Sequence, residues 1–149
     1  MKIVIADASC LIALDNINET DLLPKLYEQI LVTPEVAVEV GDSLPTWIEE
    51  RSSSNLKLID DLSDDLEIGE ATSIALALEI PDSILIIDEK KGRRAAMNLG
   101  LQITGTFGVV KTALEDGLIS DPHTIVDRLD RAGFRLSSVL KDEIRSKIH

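Results

Sequence analysis

The sequence predicts an α/β layer fold with a mostly parallel sheet, and three observations carry that expectation. Short apolar runs rich in β-branched residues recur along the chain, and amphipathic helical stretches alternate with them. Each of the two most apolar runs, Ile3-Val4-Ile5-Ala6 and Ile84-Leu85-Ile86-Ile87, is followed directly by an aspartate, Asp7 or Asp88.

Taken in order, Lys2 to Ala6 has the length and composition of a buried strand. Ser9 to Asn16 reads as a helix with Ser9 as its N-cap, and Asp21 to Gln29 as a second. Ile30 to Thr33 is a strand candidate. Pro34 suits the first turn of a helix that ends at Gly41. Leu44 to Arg51 is expected as a short helix, Ser52 to Asn55 as a loop and Leu56 to Ile59 as a strand. Ile68, Ala71, Ala75 and Leu78 recur at helical spacing, so Ile68 to Glu79 is an amphipathic helix closed by Pro81. Ser83 to Ile87 is the second central strand. A helix from Glu89 to Asn98 stops at Gly100, a short strand covers Gln102 to Thr104, and a helix from Thr106 to Glu115 stops at Gly117. Asp121-Pro122 opens a helix ending at Gly133, and a last helix is expected from Ser137 to Ser146.

With 149 residues, 44% of them apolar and 28% charged, the chain fits one domain spanning 1–149. No repeat or low-complexity segment divides it. Cys10 is the only cysteine, so no intramolecular disulfide can form; no leader-like segment opens the sequence, and a reducing, cytoplasmic setting is expected. The apolar runs fall far short of the roughly 20 residues that cross a bilayer. A net charge of −12 opposes general attraction to nucleic acid, because phosphates are gripped mainly by Lys and Arg. Any grip on phosphate must be local or metal-mediated.

In an open parallel sheet, functional groups gather beyond the carboxyl ends of the strands, where Asp7 and Asp88 are delivered. An aspartate there is also an ordinary helix N-cap, but the same arrangement on both central strands favours a shared site. Glu70 lies in the first turn of the Ile68 helix, where it can equally complement the helix dipole. Glu39 shares a helix face with Glu35, four residues earlier, and either fits a solvated surface. If three or four of these acids converge, protons or cations must neutralise them, and all-oxygen donors without Cys or His select Mg²⁺ or Mn²⁺ over zinc. Lys90-Lys91-Gly92-Arg93-Arg94 is a local basic exception, with arginine the better phosphate ligand; at least two of the four cations are expected on a solvated helix face, and Arg93 or Arg94 can equally hold Asp88 or Glu89 in an ion pair.

These stretches resemble the PIN-domain nucleases, and within them a branch similar to the toxins of bacterial toxin–antitoxin pairs. Ile5-Ala6-Asp7-Ala8-Ser9 resembles the opening Asp-x-Ser/Thr motif, which implies that Asp7 ligates metal and Ser9 hydrogen-bonds it. Val32 to Val40 resembles the strand, proline and helix bearing the second acid, which picks Glu39 over Glu35. Gly69-Glu70-Ala71 through Ala77 resembles the third-acid helix, with Glu70 where many relatives carry Asp. Ile86-Ile87-Asp88-Glu89 with Gly92 to Ala96 is similar to the fourth-acid segment, either Asp88 or Glu89 facing the metal, and Gly105 to Val110 to the turn and helix beyond.

The resemblance implies a three-layer α/β/α PIN-like fold with four to five strands and an endoribonuclease using Mg²⁺ or Mn²⁺. It implies catalytic and metal-ligating Asp7, Glu39, Glu70 and Asp88, support from Ser9 and Glu89, and phosphate contacts from Arg93 and Arg94. RNA substrate, an antitoxin whose C-terminal segment covers the groove, and a homodimer formed near Leu11, Ile12, Leu22 and Leu26 follow as expected partners. Two rivals stand beside it: an aspartate-nucleophile phosphatase or phosphotransfer domain, opposed by serine rather than aspartate at position 9, and a non-catalytic interaction protein of the same fold.

Overall fold

A computed structural model of the chain describes residues 2–119, 121, 124–133 and 141–142. The elements follow the order β1 (Ile3–Ala6), α1 (Ala8–Asn16), α2 (Leu22–Leu26), β2 (Gln29–Val32), α3 (Pro34–Val40), a 3₁₀ turn (Gly41–Ser43) and β3 (Glu49–Glu50). After these come α4 (Leu56–Leu62), α5 (Ile68–Glu79), β4 (Ile84–Ile86), α6 (Lys90–Asn98), β5 (Ile103–Thr104), α7 (Thr106–Glu115) and α8 (Ile125–Arg131).

All five strands are parallel, in the order β3-β2-β1-β4-β5. Side chains alternate across them with period two, and both faces are apolar, as a sheet covered by helices on each side requires. Val4, Ala6, Ile30, Val32 and Ile86 pack with α1, α2, α7 and α8 on one face. Ile5, Leu31, Leu85 and Ile87 pack against α5 and α6 on the other. The result is a three-layer α/β/α structure. β1 pairs with both β2 and β4, while the chain crosses over β1 between β3 and β4, so the topological switch point lies between β1 and β4.

Four expectations are corrected. The stretch Leu56 to Ile59 is helical, not a strand: the Asn55 side chain caps α4 by accepting from the Leu58 amide at 3.2 Å, and Leu56 is left 73% exposed, unlike a buried strand residue. Leu44 to Arg51 is not a helix. Pro45 interrupts it, and Glu49 and Glu50 pair with Leu31 and Val32 as the sheet's edge strand, whose charged residues discourage further pairing. Asp7 rather than Ser9 caps α1, because the helix begins directly at the end of β1. The second helix is shorter than Asp21 to Gln29, since Gln29 is drawn into β2 beside Ile3.

The helices over 34–40, 68–79 and 106–115 have the expected bounds, and α6 begins one residue later because Glu89 is its cap. Gly41 takes φ +75°, a left-handed conformation that ends α3 without a side-chain clash. The helix expected after Asp121 is described from Ile125 onward, and the one expected at 137–146 falls largely outside the described residues. Among the described residues no helix is long and apolar enough to cross a membrane.

Candidate active site

Asp7 leaves the end of β1 and its Oδ1 accepts from the Ala8 amide at 2.9 Å. This N-cap fixes the carboxylate at the switch point, where it is buried. On the neighbouring layer α5 begins with a capping box: Glu67 caps the helix, and Glu70 Oε1 reaches back to the Glu67 amide at 3.4 Å. That bond occupies one Glu70 oxygen. The other, Oε2, is buried with no hydrogen-bond partner among the described residues.

Glu39 arrives from α3, which is tied to α5 by a buried hydrogen bond of 2.9 Å between the Thr33 and Thr72 hydroxyls. Thr33 also caps α3 through the Val36 amide. Close approach of the two helices depends on Gly69, where a β-carbon would stand 3.2 Å from Glu39 Oε2 and 3.9 Å from Asp7 Oδ1. The same measure places Glu70 Oε2 only 2.8 Å from a β-carbon on Gly92, in the first turn of α6. Two glycines thus provide the room in which these acids meet.

Asp88 follows β4 and is held by a different set of donors. Its Oδ1 accepts from the Thr106 amide at 2.7 Å, and its Oδ2 from the Thr106 hydroxyl at 2.5 Å and from Ser9 at 3.4 Å. Ser9, expected to support Asp7, therefore supports Asp88: the Asp7 oxygen is already engaged by the α1 amide, and the first turn of α1 faces the end of β4. Glu89 caps α6 by accepting from the Gly92 amide at 3.0 Å.

Asp7, Glu39, Glu70 and Glu89 line one groove of about 600 Å³, together with Asp65, Glu67 and Ser9. Asp88 stands at its margin, joined to it through Ser9. Lys91 is the only cation lining this groove among the described residues. Arg93 turns away and donates to the Ile87 carbonyl at 2.8 Å, bracing the end of β4, while Arg94 lines an adjoining groove. The structure thus brings three of the four expected acids into one groove, with Glu89 beside them, and places neither arginine in it.

Burial is the main cause that raises the Asp7 carboxyl, to about 6, with Glu39, Asp88 and Glu67 adding repulsion and the Ala8 amide opposing. Glu70 is raised to about 7, again first by burial and then by Asp7, with the Glu67 amide opposing. As pH falls, Glu70 takes up a proton near 7 and Asp7 near 6. Cys10, fully buried beneath the site, has its thiol pushed up to about 12 by burial and is no nucleophile.

A family model described as a PIN domain matches residues 3–149. The chain belongs to the PIN-domain family. No curated protein and no solved structure matches it. PIN domains are generally nucleases, hydrolases that typically use divalent metals, which supports a nuclease class for this chain. In this PIN domain no three Asp, Glu, His or Cys side chains among the described residues stand close enough together to hold a metal ion as placed. Sequence reasoning left three contributors without a role: Thr106, which anchors Asp88 through both amide and hydroxyl, and Thr33 and Thr72, which join the two glutamate helices. The Gly105-Thr106 turn was the available signal for the first; a Thr–Thr contact across 39 positions leaves none.

Of the residues near which a homodimer is expected, only one is exposed. Leu11 and Leu22 are buried in the chain's own core and Leu26 packs against it, which leaves Ile12 exposed at the groove.

Proposed function

We propose that this PIN domain is a divalent-metal-dependent endoribonuclease. One observation carries the reading most directly: two buried carboxyls, Asp7 and Glu70, face a common acidic groove at the switch point, and no cationic side chain of the described chain pairs with either. Leaving Glu70 Oε2 without a partner is costly unless a proton or cation takes that position.

Asp7, Glu39 and Glu70 would hold the metal, with Asp88 at the margin as a further ligand or an orienter of water. All are hard oxygen donors, which suits Mg²⁺ or Mn²⁺, and side-chain rotation must draw them together around it. A bound divalent ion would lower the pKa of water and shield the charge of a phosphodiester under in-line attack. The chain's own part is positional. The α1 and α5 caps fix Asp7 and Glu70, Thr106 and Ser9 fix Asp88, and the Thr33–Thr72 bond keeps Glu39 opposite.

Calorimetric titration with Mn²⁺ tests the reading: the wild-type chain should bind, and Asp7→Asn should bind far more weakly and lose Mn²⁺-stimulated cleavage of single-stranded RNA. Unchanged binding or cleavage in that variant overturns it. The toxin–antitoxin role, a cytoplasmic setting and homodimerisation belong to the same proposal and rest on the resemblance. An antitoxin segment inserting a basic side chain between Asp7 and Glu70 would compete with Mn²⁺ in the same titration.

A further inference from the structure

A second groove of about 390 Å³ adjoins the acidic one, and the two share Asp65 and Lys91. One wall is α6. Lys91 and Arg94 lie three residues apart there, on a common face, and both side chains line the second groove. Arg93, between them, points away to the Ile87 carbonyl. No carboxylate among the described residues forms an ion pair with Lys91 or Arg94. Opposite α6, Leu62 and the edge of the largely buried Leu66 supply an apolar part of the lining, and Asp61 and Asp65 stand beside them.

We propose that a single-stranded stretch of the nucleic-acid substrate leaves the acidic groove by this route, its phosphates against Lys91 and Arg94 and a base over Leu62 and Leu66. The proposal rests on the nuclease reading above and adds the side on which the strand runs. Continuity places the route: Lys91 stands in both grooves, so a phosphate contacting it is next to the acids. Charge sets the orientation, since Asp61 and Asp65 repel phosphate toward α6 while the apolar part of the lining accepts the face of a base. One narrow groove suits one strand with its bases unstacked from a partner, not a duplex.

The test is fluorescence anisotropy of a short labelled single-stranded RNA with the full chain carrying Asp7→Asn, so that binding is read without cleavage. Lys91→Ala and Arg94→Ala, alone and together, are compared with Lys25→Ala on α2, which removes an equal charge elsewhere. Each groove substitution should weaken binding several-fold and lower the slope of log affinity against log salt by about 0.7, the value for one phosphate contact on a single strand. Lys25→Ala should leave that slope unchanged, and duplex RNA should bind more weakly than the single strand. In the chain with Asp7 intact, the double variant should raise KM with kcat nearly preserved. Groove variants that behave like Lys25→Ala, or a duplex that binds equally well through the same residues, overturn the route. If Asp7-dependent cleavage persists while Lys91 and Arg94 are silent, the route fails and the nuclease stands. If the chain binds through Lys91 and Arg94 but cleaves nothing, the route holds and the nuclease reading fails.

Discussion

Glu70→Gln isolates the cost of placing acids in this groove. The substitution keeps an oxygen for the Glu67 amide and nearly the same shape, but removes the buried charge around Oε2. Glu70 rises from 4.5 to about 7 on folding, so the folded state binds its proton more tightly than the unfolded state. Stability from that proton is therefore fully present below pH 4.5 and is lost as pH rises through about 7. At about 1.4 kcal/mol per pH unit the full shift sets a ceiling of about 3 kcal/mol, and solvent in the groove screens part of it, so the metal-free wild-type chain loses about 1–3 kcal/mol across this window from Glu70. Asp7, raised from 3.8 to about 6, acts with the same sign over a lower window. Urea denaturation in chelator from pH 4.5 to 8 should show Glu70→Gln gaining on wild type as pH rises, by about 1–3 kcal/mol at the upper end. Any loss from burying the new amide is independent of pH and only offsets the curve. Mn²⁺ at a hundredfold excess over its Kd should then restore about 2.7 kcal/mol to wild type and much less to Glu70→Gln. A difference between the two chains that stays constant with pH would refute the reasoning.

Asp7→Asn should retain the α1 cap, since Asn caps as well as Asp, and its thermal transition should not fall while Mn²⁺-stimulated cleavage is lost; circular dichroism beside a cleavage assay checks both. In Gly92→Ala the new methyl meets Ile87 Cδ1 at 2.5 Å and Glu70 Oε2 at 2.8 Å, so urea unfolding should show a loss of about 1–3 kcal/mol, and Mn²⁺ affinity should drop as Glu70 is displaced. Thr106→Val keeps the amide to Asp88 but removes the hydroxyl; unfolding should show a loss of about 1.5–3 kcal/mol, the range for a bond to a charged group, with Mn²⁺ titration reporting a weaker site. Without divalent cation, RNA affinity measured by anisotropy should rise as pH is lowered from 8 toward 5, because Asp7 and Glu70 take up protons in that range; a flat profile would show that they do not face the substrate.

The fold was legible wherever local and long-range preferences agreed. The β1 and β4 runs are apolar enough for strands covered on both faces, and the helices over 68–79 and 106–115 carry their own stops, although the amphipathic stripe expected of the first is corrected: Gly69 to Ala77 are buried throughout, while Ile68 and Leu78 are exposed. It failed where the deciding partner lay elsewhere. Glu49 and Glu50 form a strand only because Leu31 and Val32 offer an open edge, and nothing in two glutamates announces that. Leu56-Lys57-Leu58 alternates like a strand, yet the Asn55 cap decides for a helix. In the candidate site, Asp7 and Asp88 rest on strand-end placement as well as the family resemblance, whereas Glu39 and Glu70 rest mainly on the resemblance. Neither arginine lines the acidic groove, for a geometric reason. On a helix, neighbouring residues point about 100° apart, so of Lys91, Arg93 and Arg94 only those on the groove side of α6 can line it, and the phase of α6 is set by Gly92 packing on Ile87.

That phase bears on how a chain of net charge −12 could act on an equally anionic substrate. Among the described residues six carboxylates and one lysine line the groove, so approach of a phosphate is opposed until cations or protons reduce the field. Attraction cannot come from the whole surface; it must come from the few cations placed beside the acids and from ions bound among them. Burial of Asp7 and Glu70 sharpens this dependence. Exposed carboxylates would be screened by water and salt, whereas buried ones keep their repulsion and make both stability and substrate access answer to the same occupant. On the proposed reading, a chain built in this way withholds phosphate binding when its acids are bare and charged, and permits it when they are neutralised.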